Sequence, residues 1–288
     1  MSEKIPCKLI LTDLDHTLLR SDGSVSEHTL DVLTECRRRG VKLAIATARY
    51  WIGAEKYINL LKPDYEITTD GALIHAEEEC IYSCSFSVDE TNRLLQEIFA
   101  VKPGAEVTVA SGKTVLWNSL HIAESARLHK AVYCDFKEPL TCRANKLAVE
   151  FEKKEYAEKI AEKMDCKLQC FRNENWYAFL PKDAGKVQAI EALSKWSGIS
   201  ISDIVAFGDD QNDIEMLRTC GTGVAVRNAI QDVKKVSDYV TGTNDEDGVA
   251  SFLEQRCVLL EERDTFLSFG DKLVGMGENE KDDLLFTK

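Results

Sequence analysis

The sequence predicts an α/β protein: a doubly wound, mostly parallel sheet interrupted by an inserted α+β domain. Three observations predict it. Short apolar runs alternate with helical stretches over the first 75 residues, a mixed order of helix and strand breaks that rhythm from about residue 85, and the first rhythm returns at about residue 185. Strand, helix, strand in succession marks a parallel sheet with crossover helices. A length of 288 residues suits one to two domains.

The elements follow in order. Lys8–Thr12 is an apolar run that ends at an acidic cluster, as a buried strand does. Ser26 suits the N-cap of a helix that runs to about Arg39, with Leu30, Leu33 and Cys36 at helical spacing and Gly40 just past its end. Val41–Ala46 reads as a second strand, Tyr50–Leu61 as a helix stopped by Pro63, and Glu66–Thr69 as a third strand. Ala72–His75 and Cys80–Ser85 form a hairpin pattern around Glu77-Glu78-Glu79. The insert then reads helix, strand, turn at Ser111-Gly112, strand, a helix carrying His121 and His129, strand Asn145–Phe151, helix Lys153–Met164, and strands Lys167–Arg172 and Trp176–Leu180. Beyond it, Lys186–Trp196 is amphipathic with Val187, Ile190, Leu193 and Trp196 on one side. Asp203–Phe207 and Gly223–Val226 read as strands, and Asn212–Thr219 and Val249–Glu254 as helices. These patterns place a discontinuous core at residues 1–84 and 185–257, the insert at 85–184, and a charged, turn-rich tail of no assigned role at 258–288.

Composition removes whole classes of function. Lys and Arg number 36 against 49 Asp and Glu, a formal charge of −13, and the longest basic run is Arg37-Arg38-Arg39. Such a chain repels nucleic acid and anionic membrane. It has no run of 18 apolar residues and no apolar signal core at its N-terminus, so the expected location is cytoplasmic. Ten cysteines fall below the roughly 8–10% of a disulfide scaffold, and they read as small buried hydrophobes. Nothing in the sequence separates a monomer from a homodimer.

Ligands of an open parallel sheet bind beyond the carboxyl ends of its strands. Those ends are Asp13-Leu14-Asp15-His16-Thr17, Thr47-Ala48-Arg49, Asp70-Gly71 and Gly208-Asp209-Asp210-Gln211-Asn212-Asp213. Alone, each is an ordinary turn or cap. Together they bring several carboxylates to one rim, where like charges raise one another's pKa. A hard cation with oxygen ligands resolves that conflict, and Mg²⁺ fits while keeping positions for a substrate phosphate.

In this order, with Asp13-Leu14-Asp15-His16-Thr17-Leu18-Leu19, Ala46-Thr47-Ala48-Arg49, Lys186 and Gly208–Asp213, the sequence resembles the haloacid dehalogenase superfamily. Within it, the chain looks like the Cof-type phosphatases, whose α/β cap is inserted after the third strand of a Rossmann-like core. Thr69-Asp70-Gly71-Ala72, Gly223–Ala229 and Asn244–Ala250 extend the likeness to roughly residues 7–254. His16 and Ala48 stand where the family commonly has Gly, Asp70 where it has Asn, and Val187 where Gly often follows the motif Lys.

The resemblance implies a Mg²⁺-dependent phosphatase of small phosphorylated metabolites, sugar phosphates or similar monoesters. Asp13 would be the nucleophile that becomes an aspartyl phosphate, and Asp15 the general acid and then base. Mg²⁺ would be held by Asp13, the Asp15 carbonyl and Asp209, with Asp213 behind them orienting metal waters or Lys186. Thr47, Asn212, Lys186 and the N–H groups of Leu14 and Ala48 would hold the phosphoryl oxygens. Arg49 would either reach substrate or brace its loop. The cap would close as a lid and set substrate choice. Alternatives are a phosphomutase using the same intermediate, disfavoured by the long strand-bearing insert, and a non-catalytic sensor of a phosphorylated ligand.

Overall fold

The computed structural model describes residues 5–119, 131–171 and 174–257. The expected helix carrying His121 and His129 and the tail beyond residue 257 lie outside the described residues.

The first sheet has eight strands. Leu9–Thr12 (β1), Lys42–Ala46 (β2), Tyr65–Thr68 (β3), Leu73–Ala76 (β4) and Glu79–Ser83 (β5) come from the first part of the chain, and Ile204–Gly208 (β12), Thr222–Ala225 (β13) and Tyr239–Val240 (β14) from the last. Their order is β14-β13-β12-β1-β2-β3-β4-β5. From β14 to β3 every pairing is parallel, and the β4–β5 hairpin adds an antiparallel edge. β1 and β12 are buried at every position, so both faces of the sheet are covered, as unbroken apolar strands demand. The cover is Glu27–Arg38 (α1) and Trp51–Leu61 (α2), with Lys186–Ser197 (α5), Ile214–Thr219 (α6), Gln231–Val236 (α7) and Gly248–Arg256 (α8) from beyond the insert. α1 packs on α8, α5 on α6, and α6 on α7.

Local chemistry sets the ends of these elements. The Ser26 hydroxyl accepts from the Thr29 N–H and caps α1, and Gly198 closes α5 at φ 73°. One sequence expectation is corrected: the buried side of α5 is Lys186, Ala189, Ile190 and Leu193, while Val187 is half-buried and Trp196 is 56% exposed. Reading only apolar residues rotates the helix, because its most important inward side chain is a lysine. The cysteine reading is corrected too. All ten are free, but only Cys36 and Cys220 are buried, and Cys80 and Cys170 are exposed.

The second sheet comes from the middle of the chain. Val107–Ser111 (β6), Thr114–Trp117 (β7), Val132–Tyr133 (β8), Lys146–Glu150 (β9), Lys167–Cys170 (β10) and Trp176–Leu180 (β11) order as β10-β11-β9-β6-β7-β8. All its pairings are antiparallel except β7 with β8. Alternation gives it two unlike faces. Val107, Val109, Leu147, Val149, Tyr177 and Phe179 share a core with Val88–Val101 (α3) and Lys154–Met164 (α4). Thr108, Lys146, Ala148, Gln169 and Ala178 alternate with these on the opposite face, and Thr108, Lys146 and Gln169 bond to the rim of the first sheet.

Candidate active site

The carboxyl ends of β1, β2, β3 and β12 meet beneath the second sheet. Asp13 follows β1, and its N–H donates to the Phe207 carbonyl across the ladder. Lys186 opens α5, only 4% exposed, and its Nζ donates to Asp13 Oδ1 at 2.8 Å and Asp213 Oδ1 at 2.6 Å. Asp213 is fully buried, and its Oδ2 accepts the N–H groups of Asp209 and Asp210. Gly208 makes that tuck possible, since a Cβ there would collide with the Asp213 side chain. Asp209 Oδ1 accepts the Thr17 hydroxyl at 2.7 Å.

Asp13, Asp209 and Asp213 each place a carboxylate oxygen within 4.8 Å of the others, all three buried. Three carboxylates face one ammonium, which leaves an excess of two negative charges in low dielectric. The strain shows in the acidities. Burial pushes Asp13 well above the usual carboxylate range, opposed by Lys186 and reinforced by Asp213 and Asp209. Burial lifts Asp209 to about 6, opposed by the Thr17 hydroxyl and reinforced by Asp213 and Asp210. Burial works to lower the Lys186 pKa, but Asp13 and Asp213 outweigh it and hold the lysine above its ordinary range. A divalent cation with oxygen ligands matches this charge deficit, so the donor set fits Mg²⁺. Asp213 has both oxygens engaged, which leaves Asp13 and Asp209 as the carboxylates free to face an ion.

Asp15 stands on the open side of the cleft. Arg49 grips it with both arms of its guanidinium, Nε to Oδ2 at 2.7 Å and Nη2 to Oδ1 at 2.6 Å, and also donates to the Gly53 carbonyl. In this arrangement Arg49 braces Asp15 against the start of α2. Thr47 is buried after β2, and its hydroxyl accepts the Arg49 N–H at 3.2 Å. The Leu14 side chain is fully buried, so only its backbone can serve a ligand. Neither the Leu14 N–H nor the Ala48 N–H finds a partner among the described residues. Asn212 is exposed at the rim, in a tight turn that precedes α6 rather than in the helix expected from residue 212. Asp13, Asp15, Thr47, Ala48, Asp209 and Asn212 line one cleft of about 470 Å³. A larger cavity of about 880 Å³, beside Arg37, Trp51 and Trp196, holds none of them.

Two of the departures from the family pattern have a physical account in the backbone. His16 sits at φ 58° and Asp70 at φ 55°, the left-handed region that Gly and Asn enter most easily and that His and Asp tolerate. Thr69, Asp70 and Gly71 are left-handed in succession, and this brings the Thr69 and Asp70 N–H groups to the carbonyls of Arg49 and Thr47. Gly71 must be Gly, since a Cβ there would run into the backbone of Gly185 and Lys186.

Sequence reasoning missed the roof of the site. Leu168, Gln169 and Phe171, on and just after β10, line the cleft opposite Asp13. Lys146 on β9, 1% exposed, donates to Asp70 Oδ2 at 2.6 Å, to the Ala48 carbonyl at 3.2 Å and to Gln169 Oε1 at 3.0 Å. Gln169 donates in turn to Asp70 Oδ1 at 2.9 Å. A lysine at an inward position beside the apolar run Leu147-Ala148-Val149 is the signal that could have found it.

The family model for haloacid dehalogenase-like hydrolases matches residues 10–253. The chain belongs to this family. The hydrolase is 26% identical over 261 residues to a 5-amino-6-(5-phospho-D-ribitylamino)uracil phosphatase of Bacillus subtilis, YitU, covering 86% of this chain and 96% of the relative. It is 27% identical to the phosphatase YwpJ of the same organism, covering 86% and 99%. Among solved structures, a haloacid dehalogenase-like hydrolase from Bacteroides thetaiotaomicron matches with a TM-score of 0.74 at 24% identity, over 86% of this chain and 99% of that one. The hydrolase is thus a phosphoric monoester hydrolase of the haloacid dehalogenase superfamily. Among the described residues no helix is long and apolar enough to cross a membrane.

Proposed function

We propose that this hydrolase is a Mg²⁺-dependent phosphatase of small phosphorylated metabolites that works through an aspartyl phosphate on Asp13. The observation that carries the reading is Lys186, buried and fixed between Asp13 and Asp213 with Asp209 alongside. Lys186 occupies one oxygen of Asp13 and leaves the other to attack phosphorus, which splits one difficult displacement into two easier ones. The same ammonium lies beside the charge that grows on the phosphoryl oxygens. Mg²⁺, held by Asp13, Asp209 and the Asp15 carbonyl, would offset the repulsion between nucleophile and phosphoryl dianion. Asp213 holds the Asp209 and Asp210 backbone and Lys186 in place. The Thr47 hydroxyl, Asn212 and the unengaged Leu14 and Ala48 N–H groups would seat the phosphoryl oxygens.

Asp15 then protonates the leaving alkoxide and later takes a proton from the attacking water. A phosphoryl dianion entering the cleft would compete with Asp15 for the Arg49 guanidinium and release the carboxylate towards the leaving group. Residues 1–84 and 185–257 supply this chemistry. Residues 85–184 act as the lid, with Gln169 and Phe171 facing the leaving group and the Lys146–Asp70 pair latching the closed form.

A phosphate-release assay on a panel of monoesters tests the reading. Turnover is expected with Mg²⁺, none with a chelator, and Asp13→Asn should lose at least a thousandfold. Unchanged turnover in Asp13→Asn, or an isomerised sugar phosphate without free phosphate, would overturn it. The uracil-bearing substrate in the name of the YitU relative makes ribityl and pyrimidine esters the first to try.

A further inference from the structure

Phe171 borders two cavities at once. One is the catalytic cleft, and the other is a smaller pocket of about 260 Å³ walled by Tyr50, Trp117, Phe171 and Trp176, with Val115 and Ala148 among its lining. The sheet register explains its shape. Trp117 pairs with Thr108 and Thr108 with Ala148, so an indole and a methyl group stand in one row on the face turned to the catalytic rim. Trp176 pairs with Glu150, which places it on the same face two residues further along β9. A small residue between large aromatic ones leaves a slot. Tyr50 closes it from just before α2, one residue after Arg49, and its hydroxyl is already engaged with Thr108 Oγ1 at 2.8 Å. Lys146 Nζ lies 5.5 Å from the Tyr50 ring and 5.2 Å from the Phe171 ring, so both rings adjoin the latch to the Ala48 carbonyl and hence the cleft.

We infer that this slot seats a planar aromatic or heteroaromatic ring carried by the leaving alcohol of the phosphate ester. The inference rests on the phosphatase reading and narrows its substrate class. Complete sites for drug-sized ligands run to roughly 300–1,000 Å³, so 260 Å³ suits one ring of a larger molecule whose phosphoryl group occupies the adjoining cleft. Stacking on Trp, Tyr and Phe faces is what such a wall offers. A bare sugar would lose hydrogen bonds to water against these rings, and of the polar side chains in the lining Thr108 is already bonded to Tyr50, which leaves Glu174 at the edge.

Two esters carry a ring on linkers of different length: pyridoxal 5′-phosphate on one carbon and uridine 5′-monophosphate on a pentose. Each is compared with ribose 5-phosphate, which has the phosphate and sugar but no aromatic ring. At least one ring ester should exceed ribose 5-phosphate about tenfold in kcat/KM. That ratio should collapse in Trp176→Ala, which removes a wall, and in Ala148→Leu, which fills the slot. Ribose 5-phosphate matching or exceeding both ring esters would overturn the inference, as would a ratio that survives both substitutions. If no monoester of the wider panel is turned over either, the phosphatase reading itself has failed. Calorimetric binding of the same three esters then decides the slot alone, by tighter binding of a ring ester that Ala148→Leu abolishes, or by equal binding of all three.

Discussion

Lys186 shows how one side chain can organise a site. Its ammonium is buried between two carboxylates, and removing one partner of such a group costs roughly 3–5 kcal/mol when the other charges stay buried. Lys186→Met should therefore be less stable in chelator and recover part of the loss with Mg²⁺, which a denaturant titration with and without the ion would read. The acidity of Asp209 gives a second prediction at this scale. Its carboxyl is raised to about 6 against an ordinary value of 3.8, so the metal-free fold binds that proton more tightly than the unfolded chain. The resulting stabilisation is full below about pH 4 and is lost as pH rises through about 6. Mg²⁺ competes with the proton, so the rise in Tm on adding it should be larger at about pH 7.5 than at about pH 5. Equal shifts at both would show that the ion binds elsewhere.

The elements were legible in proportion to how local their signals are. α1 announced itself through Ser26, and β1, β2 and β12 through unbroken apolar runs that end in Asp, Thr or Gly. The short α7 and β14 were not read, because six and two residues carry too little periodicity. α5 was found but turned, because the inward position of Lys186 depends on Asp13, 173 residues away. Asp13, Asp15, Thr47, Lys186 and Asp209 could be picked out because motif order stands in for geometry. Lys146, Gln169 and Phe171 could not, since their partners lie on another sheet and only the register shows which way they face. His75 on β4 gives a test at this scale. Burial lowers it to about 4, assisted by Lys113, and its Nδ1 has no hydrogen-bond partner among the described residues. The fold therefore loses stability as pH falls from about 6.5 towards 4, the reverse of the Asp209 case. His75→Leu should flatten that acid limb in a Tm-against-pH series.

Across the whole molecule, a net charge of −13 coexists with a site built for a phosphate dianion. With Lys186 held by Asp13 and Asp213, the Mg²⁺ proposed above would reverse the field at the site. The two sheets meet through buried polar contacts, with Lys146, Gln169 and Asp70 at their centre. If that cluster latches the closed form, Lys146→Met should widen the molecule in small-angle scattering. It should also lose about 3–5 kcal/mol of stability, with part restored by adding Asp70→Leu, because the second change removes the stranded carboxylate. Unchanged dimensions in Lys146→Met would assign the latch elsewhere.

The central claim is that Asp13 becomes covalently phosphorylated. Asp15→Asn cannot activate the attacking water, and p-nitrophenyl phosphate, whose leaving group needs no protonation, can still form the intermediate, so a rapid acid quench after mixing the variant with that ester and Mg²⁺ should catch it. Mass spectrometry of the peptide bearing Asp13 reads it directly. The account predicts a phosphoryl adduct on Asp13 that is absent without Mg²⁺ and absent from Asp13→Asn. Phosphate release from the native enzyme with no adduct on that peptide, or with the adduct on another residue, would contradict it.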